Sequence, residues 1–199
     1  MKNESSSVED IRVIRKMMED SSRFLSLSGI SGVLAGITAI AGAAVAYLLI
    51  LDKGSKDPSS VLWQLMADAV AVLVIAVLCA LSLSMKKARK DGKSILSPVS
   101  KRLLINLLIP LTAGGAFAVV LLLNNYFQLI IPAFLIFYGL ALVNAGKFTF
   151  GEIFYLGLLE VLTGLIAAFV PGWGLLFWIF GFGILHIIYG MAMYRKYEA

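Results

Sequence analysis

The chain has 199 residues, 60% of them hydrophobic and 15% charged, with a mean hydropathy of +0.91. Soluble domains run nearer half apolar and about a quarter charged, so this composition excludes a water-soluble core and describes an all-α polytopic membrane protein. The formal charge of +5 lies in connections between apolar runs, where it reports topology and argues against nucleic acid as a partner.

Residues 1–24 are polar and rich in both charges. Ser6 stands three residues before Glu9, and Ser7 three before Asp10, the spacing of a helix-capping box. On the helix that follows, Ile11, Ile14, Met17, Met18 and Leu25 share one face, while Arg12, Arg15, Lys16, Glu19 and Arg23 share the other. Such a cytoplasmic amphipathic segment either lies along the inner membrane surface or extends the first span and packs against a basic connection. The first apolar run begins near Phe24 and is too long for the core of a signal peptide, so it reads as a retained span.

Six spans are expected, at 25–51, 62–85, 103–124, 127–146, 152–170 and 173–193, inside a transmembrane domain of 25–193. Turn residues separate them: Asp52-Lys53-Gly54 and Asp57-Pro58-Ser59, then Asn124-Asn125-Tyr126, Gly146-Lys147 with Gly151, and Pro171-Gly172-Trp173-Gly174. Turns this short pair neighbouring spans as antiparallel hairpins, giving three. The second connection, 86–102, is basic, and 194–199 is a short tail.

Alternate sides of this layout differ sharply in charge. Lys2, Arg12, Arg15, Lys16, Arg23, Lys86, Lys87, Arg89, Lys90, Lys93, Lys101, Arg102, Lys147, Arg195 and Lys196 fall on one side, against only Lys53 and Lys56 on the other. Because Lys and Arg are retained in the cytoplasm, both termini are expected inside, in the manner of a bacterial inner-membrane protein. Within the basic connection, Lys86, Lys87, Arg89, Lys90, Lys93, Lys101 and Arg102 are candidates to face anionic lipid headgroups, although topogenesis alone explains most of their density.

Internal repetition accompanies the hairpins. Gly139, Leu142 and Gly146 match Gly183, His186 and Gly190, and Leu107-Leu108 with Leu111-Thr112 matches Leu158-Leu159 with Leu162-Thr163. Glycines spaced i and i+7, with a third position at i+3, recur as Gly29/Gly32/Gly36, Gly139/Leu142/Gly146, Gly157/Glu160/Gly164 and Gly183/His186/Gly190. These positions share one helix face, where small residues let membrane helices approach closely.

Two of the central positions are ionisable. Glu160 and His186 each lie roughly 10 to 12 Å inside the cytoplasmic boundary at the helical rise, so they are placed to meet. One reading is a proton- or ion-responsive pair, and the other is a hydrogen bond that fixes the last hairpin. Asp68, some 9 Å below the outer end of the second span, reads as a solvated or hydrogen-bonded group. Asn106 and Asn144, at cytoplasmic ends of adjacent spans, are placed to bond each other or a headgroup. Tyr138 is one of few polar groups able to line a cavity beside Pro110 or Pro132, the two prolines that interrupt spans. Trp63, Tyr126, Trp173 and Tyr194 suit the membrane interface, whereas Trp178 lies too deep and reads as packing.

No nucleophile motif, metal-ligand spacing or phosphate loop is present, and the lone Cys79 sits in an apolar run, so neither an enzyme nor a cofactor is expected. The last hairpin, Gly157-Leu158-Leu159-Glu160-Val161-Leu162-Thr163-Gly164, Pro171, Phe180-Gly181-Phe182-Gly183 and Gly190, resembles the repeated hairpins of small six-helix HdeD-type acid-resistance membrane proteins. That resemblance implies three hairpins and a stress-associated role. The expected protein is therefore non-enzymatic, acting in stress, envelope maintenance or partner interaction, with the bilayer and a membrane protein or a second copy as partners. The alternative is a small proton-linked transporter or oligomeric channel built on Glu160 and His186.

Overall fold

The computed structural model describes residues 27–52, 58–90, 92 and 97–199. Within them six helices are long and apolar enough to cross a membrane. They are α1 (Gly29–Leu51), α2 (Pro58–Lys90), α3 (Pro98–Leu123), α4 (Ile130–Gly146, entered through a 3-10 turn at Phe127–Leu129), α5 (Gly151–Phe169) and α6 (Gly174–Tyr197). The expected amphipathic segment 1–24, together with Lys53, Lys56 and Lys93, lies outside the described residues.

Local chemistry explains where the helices differ from the sequence reading. α2 runs past the apolar residues through Lys86, Lys87, Arg89 and Lys90. Lysine and arginine are good helix formers and no glycine or proline interrupts them, so part of the basic connection is helix. Pro98 occupies the first turn of α3, whose start is capped by the Ser97 hydroxyl accepting from the Ser100 amide at 3.1 Å. Pro132 falls in the first turn of α4, where its missing N–H has no helical acceptor, so it starts this helix instead of breaking it. Pro110 does lie inside α3. At the other end, helix α6 continues through Tyr197, so most of the segment read as a tail belongs to the last helix.

Packing follows glycine. α4 and α5 form the closest pair, and α1 lies along α6. A Cβ built on Gly157 would stand 2.6 Å from the Gly139 carbonyl oxygen, and one on Gly139 would stand 2.6 Å from that of Gly157. The same relation joins Gly190 to the Gly29 carbonyl at 2.6 Å, and Gly36 to the Gly183 carbonyl at 2.5 Å. The four glycine triplets are thus two mated pairs, α4 with α5 and α6 with α1, each with backbone against backbone in antiparallel register. Only glycine permits approach this close.

The remaining helices are peripheral. α2 packs on α1 and α3 on α4, while α2 and α3 share no extended contact among the described residues. The order around the bundle is therefore α2, α1, α6, α5, α4, α3. Outward faces of α2 (Val70, Leu73, Ile75, Leu78) and α3 (Ile105, Leu108, Ile109, Val120) are apolar and exposed, a surface suited to hydrocarbon. A core of Leu142, Ala145, Ile153, Leu156 and Leu185 joins α4, α5 and α6, with Tyr138 and Tyr189 against its edge.

Candidate functional site: a sealed polar cluster between three helices

The cluster forms where α6 changes its winding. Residues Ile179–Leu185 are π-helical, and this widened turn leaves the Gly181 carbonyl facing His186, five residues on. His186 Nδ1 lies 3.1 Å from that oxygen. A carbonyl can only accept, so Nδ1 carries the proton in this contact. On the other side of the ring, Nε2 is 2.7 Å from the Tyr138 hydroxyl of α4, which donates to it when the imidazole is neutral.

Glu160 enters from α5, the third helix. Its carboxyl is 0% exposed, and Oε1 lies 3.3 Å from His186 Nδ1. The pair predicted from glycine spacing is therefore in contact, but the imidazole N–H is directed at Gly181 and neither carboxyl oxygen receives a hydrogen bond. Gly181 also makes the room: a Cβ there would fall 2.6 Å from Glu160 Oε2 and 2.5 Å from Leu135 Cδ2. An isolated charge at zero exposure is costly, which favours a cluster with no net charge.

Aromatic rings close the cluster. Phe182 lies against Tyr138 at 5.2 Å between centroids and against Trp178 at 4.6 Å. Trp178, read as packing, also donates its indole N–H to the Ala39 carbonyl of α1 at 3.1 Å, pinning α6 to α1.

Other singled-out residues lie apart from this cluster. Asp68 lines a cleft between α1, α2 and the starts of α4 and α6. Asn106 does not reach Asn144: its side chain donates to the Arg102 carbonyl at 2.8 Å, while Asn144 accepts from Lys147 at 3.2 Å. Each saturates on its own helix end, a nearer partner than the neighbouring helix. Lys86, Arg89, Lys90, Lys101 and Arg102 are exposed. Lys87 departs from its expected headgroup-facing role, because it turns inward to the Leu27 carbonyl (2.8 Å) and to Glu198 (3.0 Å). Trp63, Tyr126, Trp173 and Tyr194 are exposed.

Glu198 was not visible as a functional position. Its Oε1 accepts from the Gly29 amide at 2.6 Å and its Oε2 from the Ser28 hydroxyl at 3.3 Å, so it caps α1 from across the bundle. A second clasp pairs Lys196 with Glu152 at 2.5 Å, joining the ends of α6 and α5. The missed signal for Gly181 was the five-residue interval to His186, which is π-helical spacing. Nothing local could have paired residue 198 with residue 29.

Among the described residues no three His, Cys, Asp or Glu side chains converge in a way that could hold a metal ion. Fold and site together define a polytopic membrane protein with a buried polar cluster in its core. Comparison with protein-family models, with curated proteins and with solved structures finds no match to this chain.

Proposed function

We propose that this chain is a non-enzymatic inner-membrane protein of envelope maintenance under stress, with both termini cytoplasmic and with three related hairpins. Its work is association with a membrane partner or a second copy. The observation that carries this reading is the closure of the cluster: Glu160 has no exposure, with His186, Gly181 and Leu135 around it. A group that cycles protons between two aqueous phases needs a route to each, whereas a group that locks helices needs only partners. The resemblance of the last hairpin to HdeD-type proteins supports the stress association. The exposed Lys86, Arg89, Lys90, Lys101 and Arg102 support contact with anionic headgroups.

Proton-linked transport has one observation in its favour, the two buried carboxyl oxygens without hydrogen bonds. Proton flux in proteoliposomes separates the readings. The structural reading expects parent protein, Glu160→Gln and His186→Ala all to match protein-free vesicles. Flux in the parent that is lost in Glu160→Gln would overturn it.

A further inference from the structure

The cleft lined by Asp68 has a chemistry that the sealed cluster does not use. It has a volume of about 330 Å³ and lies between α1, α2, the start of α4 and the start of α6. That is within the rough 300–1,000 Å³ range of small-molecule sites. Among the described residues its wall is apolar except for Asp68 and Gln128, and it carries three aromatic rings, Phe127, Phe134 and Trp178. Asp68 is its sole charged residue and has no hydrogen bond or ion pair among the described residues. Gly42 lets α2 approach α1 here, since a Cβ on it would run into Val72 Cγ2, and Asp68 Oδ2 lies 3.6 Å from the same point.

A single carboxyl among aromatic faces in an apolar wall is complementary to an organic cation. Aromatic faces attract ammonium groups through the ring quadrupole, most strongly when water is excluded. Trp178 is held ready for this, because its N–H is already committed to the Ala39 carbonyl and its ring plane is fixed. Leu175 and the other aliphatic residues of the wall offer a path for a hydrocarbon chain. A phospholipid amine fits less well: its phosphate would find no cation among the described lining residues, and two acyl chains would compete for a small volume.

We infer that this cleft binds a single-chain organic cation, with its ammonium group between Asp68 and the Trp178 and Phe134 rings and its alkyl chain along the apolar wall. The test is binding of radiolabelled decyltrimethylammonium to the full chain in phosphatidylcholine nanodiscs. Saturable binding is expected, displaced by unlabelled cation but not by decyl sulfate or decanol. Asp68→Asn should weaken it by about tenfold, the loss of one desolvated charge contact. Ala69→Phe, which fills the cleft without touching the charge, should abolish it, so the outcome does not depend on one variant folding. Non-saturable partitioning, equal affinity in both variants, or displacement by decyl sulfate would overturn the assignment. Displacement by phosphatidylethanolamine added to the nanodisc would also overturn it, by making the site one for a lipid headgroup.

Discussion

At Glu160 and Gly181 the competing effects can be ranked by size. A hydrogen bond between membrane helices is worth only about 0.6 kcal/mol on average, because the separated helices find other partners. Tyr138→Phe, which removes the bond to His186 and keeps the ring, should therefore lower stability by about that much. Gly181→Ala should cost more, about 1–3 kcal/mol, because its methyl group would meet the ends of the Glu160 and Leu135 side chains, both fully buried, and force them to repack. Thermal unfolding in detergent should show that order, and a larger loss for Tyr138→Phe would mean that hydrogen bonding, not packing, holds the cluster. Glu160 and His186 were legible as partners because glycines one turn before and after each marked an inward face. Their geometry was not legible: the sequence shows neither the π-helical turn that aims His186 at Gly181 nor the rotamer that brings Tyr138 to the ring.

Helix ends carry the second level of the account. The amides at the start of α1 have no helical acceptors, and Glu198 supplies one together with a negative charge at the positive end of the helix dipole. Glu198→Ala should cost about 1 kcal/mol and also free Lys87, which would then become reactive toward an amine-modifying reagent. Unchanged Lys87 labelling would show that the contact with Leu27 alone holds it. The same level shows how near the glycine pattern came to the fold. Its four triplets share one spacing, and that spacing does mark packed faces. What they also encode is mating, α4 with α5 and α1 with α6. A linear pattern identifies a face but not the helix that meets it, so the joints between hairpins stayed hidden while the turns within hairpins were visible.

For the whole molecule, six spans follow from hydropathy because a bilayer imposes length and apolarity on every crossing segment. Orientation rests on the Lys and Arg imbalance, and a periplasm-dependent phosphatase fused after Ala199 should be inactive, whereas one inserted at Gly54 should be active. The reverse pattern would refute the cytoplasmic assignment of the termini. The bundle also separates two environments, a closed cluster at Glu160 and an open cleft at Asp68, and that contrast is the central claim. Thiol accessibility measures it directly. In a Cys79→Ser background, Glu160→Cys should resist water-soluble thiosulfonate reagents applied from either side of membrane vesicles, while Asp68→Cys should react. Labelling of Glu160→Cys from either aqueous face would contradict the account.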